Sequence, residues 1–246
     1  MYELLMNTLI GVLVGVLGTG LGGILSLTLI KPNKKFLSFL LGSTAGIMLS
    51  IVTFDLLPEA QHIGGIFTEI VGIILGIILV IFIEDLLPKE HFKACSTKEK
   101  SMLKAGILMG IGIAIHNLPE GLAVGSGFML TSEMGMKVAF VIALHNIPEG
   151  IAMATPLRLS GYSKPKVLIL TLLCGLPTGI GAFFGAFLGS ISNFFIALCL
   201  SFAAGTMLYI TCGELIPSAK RIHNGKSSTL GVIFGFILGI LIVSKL

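Results

Sequence analysis

Tryptophan is absent from this 246-residue chain and tyrosine occurs three times, so the aromatic belt that usually marks membrane interfaces is thin here. Charge is also scarce: Asp, Glu, Lys and Arg make up 11% of residues against 54% apolar, and the mean hydropathy is +1.03. An ordinary soluble domain carries about 25% charged residues and is excluded, and no nucleic-acid partner is expected. The four cysteines, Cys95, Cys174, Cys199 and Cys212, show no CxxC spacing. They read as buried thiols, neither a zinc cluster nor a disulfide framework. The first apolar stretch has no basic n-region and no clean cleavage site, so it is expected to be retained as a span.

What is present is glycine, 32 residues of it, as expected where helices pack through small residues in lipid. Apolar stretches long enough to cross about 30 Å of hydrocarbon run roughly 6–30, 36–57, 66–87, 102–127, 134–156, 166–188, 194–217 and 228–244. The fold class expected is an all-α polytopic membrane protein of eight spans, forming one domain over residues 1–246. Of the 16 basic residues, all but Lys137 and Lys245 fall in the odd-numbered loops. The positive-inside rule then makes those loops cytoplasmic and puts both termini outside, with the plasma membrane as the expected location.

Two segments in the middle of the chain match almost residue for residue: IAIHNLPEGLAVG at 113–125 and IALHNIPEGIAMA at 142–154. His116 and Glu120 are four residues apart, as are His145 and Glu149, so on a helix each pair shares a face about 6 Å apart along the axis. Pro119 and Pro148 lack an N–H, which frees the carbonyls of Ile115 and Leu144 beside the histidines. Asn117 and Asn146 point about 100° further round, toward an adjacent site or the loosened backbone. One such box could be a proline kink satisfied by its own polar residues. Two copies in an apolar medium point to cation binding instead.

A longer repeat emerges when the chain is slid along itself without gaps. At one constant offset TAGIML at 44–49 falls on AAGTML at 203–208, DLLPEA at 55–60 on ELIPSA at 214–219, TGLG at 19–22 on TGIG at 178–181, and GIILG at 72–76 on GVIFG at 231–235. Spans one to three (repeat A, 1–88) therefore recur as six to eight (repeat B, 165–246), around a central hairpin at 102–156. An offset of five spans inverts the second copy, and spans four and five are mutually inverted. Nested inverted repeats are the architecture of transporters that hold substrate near the bilayer midplane. The inversion sets His116 level with Glu149 and Glu120 level with His145. If the helices face each other, four ligands close around one point about halfway across, where an ionisable group is costly and by default functional.

Asp55, Glu59, His62 and Glu69 gather at the outer ends of spans two and three, either as a solvated rim or as a vestibule that attracts cations. Glu84, Asp85, His91, Glu214 and His223 lie near inner ends, as ordinary interfacial residues or as a way out. Glu214 is the strongest of these, because Pro217 breaks its helix and it repeats Asp55. Met48 and Met207 read first as packing.

With HNLPEG and HNIPEG in consecutive spans, the chain closely resembles the ZIP family of divalent metal transporters, in particular its bacterial zinc-uptake branch. The resemblance covers essentially the whole chain, including the AGxML…LxPEA stretch of span two. It implies a first metal site built from His116, Glu120, His145 and Glu149, a neighbouring second position served by Asn117 and Asn146, and Met48 as a further metal-site residue. Many members carry a sixth-helix glutamate where this chain has Thr178, so the second position loses a carboxylate. The loop between spans three and four is short and holds only His91, which argues against a metal-sensing role for it.

The expected function is zinc uptake into the cytoplasm by alternating access, with Zn2+ as the transported substrate and no organic cofactor. Imidazole and carboxylate ligands also suit Fe2+, Mn2+ and Co2+. The partners expected are divalent ions and the bilayer; a homodimer is compatible with this reading. The rivals are an intramembrane metalloprotease, an iron oxidase and a metal-gated channel or sensor. A zinc protease calls for HExxH, whereas Asn117 and Glu120 stand in those places. An oxidase calls for more histidines than the five in the chain.

Overall fold

A computed structural model describes residues 2–28, 33–86 and 98–244. His91 and Cys95 lie outside them, as does the side chain of Glu84. Every regular element among the described residues is helical, in the order α1 (Tyr2–Thr28), α2 (Lys34–Ile51), a π turn (Val52–Leu56), α3 (Leu57–Leu86), α4 (Lys98–Leu130), α5 (Ser132–Leu159), α6 (Lys164–Gly189), α7 (Asn193–Ile210), a second π turn (Thr211–Leu215), α8 (Ile216–Ile222) and α9 (Lys226–Val243). Among them, seven continuous helical stretches are long and apolar enough to span a membrane.

Helix ends follow local chemistry. Asn33 caps α2 by accepting from Lys35 N at 3.0 Å, and Thr131 caps α5 by accepting from Met134 N at 3.0 Å. The exit from α5 is a Schellman turn on Gly161 (φ 89°), with Tyr162 N donating to Leu157 O and Gly161 N to Arg158 O.

One apolar stretch, 34–83, is 50 residues long. A straight helix of that length would reach about 75 Å, more than twice the hydrocarbon thickness. Gly65 breaks it with φ 74° and ψ 166°, a conformation that favours glycine. The two π turns each precede a proline, Pro58 or Pro217, whose ring would clash with the carbonyl four residues back in a regular α-helix. Widening the turn to an i→i+5 bond, Leu57 N to Val52 O and Ile216 N to Thr211 O, accommodates it. The two π turns start at Val52 and Thr211, positions related by the same offset as the long sequence repeat.

The helices sort into two groups. In one, α1 and α4 each pack on both α5 and α6; in the other, α2 packs on α8 and α9, and α3 on α7. The principal bridges between groups are α4 on α7 and α2 on α5. Close crossings within groups rely on glycine. A Cβ on Gly150 would strike Thr19 O of α1, and one on Gly46 would strike Val232 O of α9. A Cβ on Gly205 of α7 would likewise meet Ile73 O of α3. Large side chains such as Leu9, Leu13, Phe234 and Ile237 are exposed on outer faces, as helices solvated by lipid require. Cys174 and Cys199 are at least half-buried thiols, but Cys212 is exposed on the second π turn, which departs from the sequence expectation.

Candidate metal centre

Packing of α4 against α5 brings the two boxes face to face. His145 Nε2 lies 2.8 Å from Glu120 Oε1, with both side chains fully buried. Glu149 joins them: ligand atoms of Glu120, His145 and Glu149 all lie within 4.8 Å of one another. A tetrahedral zinc with bonds of about 2.0–2.2 Å sets its ligand atoms roughly 3.3–3.6 Å apart, so modest side-chain rotation closes the three on one ion. Glu120 Oε2 and both oxygens of Glu149 are buried without a hydrogen-bond partner. Buried carboxylate oxygens left in that condition are costly, and a cation is the group that satisfies them.

The fourth residue of the expected set stands apart. His116 turns its Nε2 toward Glu214 Oε2 of the second π turn, at 3.3 Å. It still borders Glu149, since both line a cavity of about 30 Å³ with Gly112, Glu214 and Ser218. A second cavity of about 220 Å³ shares His116, Gly112 and Glu214 and runs on past Leu108, Val80 and Ile83. The side chain of Glu214 is 47% exposed while that of His116 is 6% exposed, so this pair joins the buried centre to an open path.

The asparagines sit beside the centre in different conditions. Asn117 Nδ2 donates to Cys174 O of α6 at 2.6 Å, which ties α4 to α6 and leaves Oδ1 buried without a partner. Asn146 has neither polar atom partnered, and Thr178 Oγ1 is likewise buried and unpartnered. Gly18 and Gly15 of α1 pass against Asn146 and Thr178 respectively. Met48 is fully buried in the apolar core, its sulfur accepting from Thr211 Oγ1 at 3.7 Å.

At the opposite end of the bundle, Asp55 on the first π turn is bridged by Lys137 of α5, with Nζ to Oδ1 at 3.6 Å. The two border a cavity of about 290 Å³ shared with Glu59 and Glu133. His62 stands 4.0 Å from Glu59 and is 85% exposed. Glu69 is buried, with one carboxylate oxygen unpartnered. Sequence reasoning singles out Asp55, Glu59 and His62 but misses Lys137, whose only signal is its place outside the basic loops. His223 pairs with Ser227 Oγ at 2.9 Å.

Comparison with known proteins agrees on one family. Residues 89–244 match the model of the family described as ZIP zinc transporters. Curated relatives named zinc transporter ZupT are similar along nearly the whole chain. That of Streptococcus mutans is 30% identical, covering 90% of each chain; that of Escherichia fergusonii is 32% identical, covering 92% of this chain and 91% of its own; and that of Akkermansia muciniphila is 32% identical, covering 95% and 93%.

Proposed function

The chain belongs to the ZIP family of zinc transporters, and from that premise we propose that it carries zinc into the cytoplasm by alternating access around the Glu120–His145–Glu149 centre. The family is one of transporters and not of enzymes, so the protease and oxidase readings fall away. The observation that carries the proposal is the three fully buried residues with convergent ligand atoms and unpartnered carboxylate oxygens at the α4–α5 contact.

In this reading the hydrogen bond between His145 and Glu120 holds a proton where the metal will sit. Zinc takes its place and binds through His145 Nε2 and the carboxylates of Glu120 and Glu149. His116 serves as the fourth ligand or as the first station of release, passing the ion to Glu214. Asn117 and Asn146 supply neutral oxygens to a weaker neighbouring position beside Thr178, and Met48 is a further metal-site residue through its sulfur. Fe2+, Mn2+ and Co2+ also suit these ligands, and no organic cofactor takes part.

The proposed architecture is eight spans, with Gly65 dividing the long stretch at 34–83 into spans two and three. The inverted repeat is supported by the matching π turns and by swapped glycine contacts: Gly46 against Val232, and Gly205 against Ile73, exchange under the same shift. Alternating access then amounts to movement of the α1, α4, α5, α6 group against the other. The basic residues in the odd-numbered loops support an orientation in which the open path past Glu214 is on the cytoplasmic side and both termini are outside, and the plasma membrane is the proposed location.

Uptake into liposomes reconstituted with the purified protein tests this. Zn2+ should accumulate, Fe2+, Mn2+ and Co2+ should compete, and Mg2+ should not; absence of Zn2+ flux above empty liposomes would refute the proposal.

A further inference from the structure

The two ends of the pathway are built from equivalent positions, and they differ at one of them. The shift that lays the first box on the second carries His116 to His145, Gly112 to Val141 and Leu108 to Lys137. The larger shift that relates the long repeats carries Asp55 to Glu214. The set of Glu214, His116, Gly112 and Leu108 therefore has a counterpart in Asp55, His145, Val141 and Lys137.

The first set is open. All four of its residues line the cavity of about 220 Å³, and the side chain of Glu214 is 47% exposed. The second set is shut. Val141 is fully buried, and the side chain of Asp55 is 8% exposed beneath the ammonium of Lys137. Eight residues separate Lys137 from His145, about 12 Å of helix, so Lys137 sits roughly two turns beyond the metal centre and about 80° round the helix from it. Where the open end has a neutral Leu108, the closed end has a cation.

We infer that Lys137 is a tethered cation that closes the outer end of the pathway on Asp55, and that an incoming divalent ion opens this end by displacing it. Three features support the assignment. Oδ2 of Asp55 is buried with no hydrogen-bond partner, so the bridge on Oδ1 is what compensates the carboxylate, and breaking it would leave a buried charge alone. The bridge joins α5 to the π turn that follows α2, and α2 on α5 is one of the principal contacts between the two helix groups; the groups cannot part at this end while it holds. The adjoining cavity of about 290 Å³ carries Glu59 and Glu133, which give the displaced ammonium somewhere to go. A divalent ion brings twice the charge of the ammonium to Asp55, whereas a monovalent ion gains nothing by exchange. Lys137 thus acts as a selectivity residue as well as a closure. The direction of travel rests on the transporter reading; the closure itself does not.

Accessibility of residue 141 tests the closure without any metal. In the full-length protein carrying Val141→Cys, with the protein lacking that substitution as background, labelling by a membrane-impermeant thiol reagent from outside should be slow. Lys137→Met should speed it by at least about fivefold, because an unpaired buried carboxylate disfavours the closed state, while Lys137→Arg should leave it within about twofold of the parent. The exchanged pair Asp55→Lys with Lys137→Asp should also label slowly. Unchanged labelling in Lys137→Met, or equal acceleration in Lys137→Arg, would overturn the proposal. Should Lys137→Met fail to reach the membrane, the exchanged pair decides alone: slow labelling supports the closure and labelling about fivefold faster overturns it. Zinc uptake measured on the same samples separates the two readings, since a loss of transport chemistry would not move the labelling rates.

Discussion

His145 Nε2 and Glu120 Oε1 lie 2.8 Å apart across the α4–α5 contact, both fully buried. A hydrogen bond in that position contains a proton that zinc has to replace, so binding releases protons and is opposed by them. Lowering the pH loads protons onto the imidazole and carboxylates and must weaken binding. Zinc affinity and uptake should therefore fall between about pH 7.5 and pH 5, around the reference histidine pKa of roughly 6.5. An affinity that stays flat over this range would argue against histidine ligation.

The separate placement of His116 divides the consequences of ligand removal. Glu149→Ala and His145→Ala should each weaken zinc binding by more than about 100-fold, beyond the loss usual for residues that only support a ligand. His116→Ala should lose most transport with a smaller loss of equilibrium affinity, since its Nε2 is engaged with Glu214. Titration calorimetry and uptake on the same preparations check both; equal losses of affinity in all three variants would put His116 inside the centre.

Stoichiometry should be one tightly held ion. Asn146 and Thr178 offer only neutral, unpartnered atoms beside the centre, and each pair of unit charges about 4 Å apart repels by roughly 4 kcal/mol at an effective dielectric of 20. Thr178→Glu adds a carboxylate and should raise occupancy toward two ions, provided α1 yields where Gly15 crosses residue 178. Two equally tight ions in the unaltered protein would contradict this.

The proposed sidedness rests on the basic loops. A cysteine at Glu59 should react with an impermeant reagent from outside and one at Ser218 from inside. Reaction of both from the same face would refute the proposed topology.

Much of the helical framework is legible in the sequence, because long apolar runs and proline-bearing boxes are local signals. Gly65 falls between two of the expected spans, where the described chain breaks. The π turns are not part of the sequence expectation, although Pro58 and Pro217, at equivalent places in the long repeat, carry the cue. At the centre, helical spacing anticipates the approach of Glu120, His145 and Glu149. It cannot show that His116 pairs with Glu214, 98 residues away, or that Lys137 pairs with Asp55. Those contacts depend on how the two helix groups are disposed, and no local periodicity encodes that.

The central claim is that a divalent ion crosses the membrane through the buried Glu120–His145–Glu149 centre. Zinc uptake into liposomes, measured side by side for the unaltered protein and Glu149→Ala at matched amounts of folded protein, tests it most directly. Saturable Zn2+ uptake is expected in the former and uptake near the level of empty liposomes in the latter. Undiminished uptake by Glu149→Ala would contradict it.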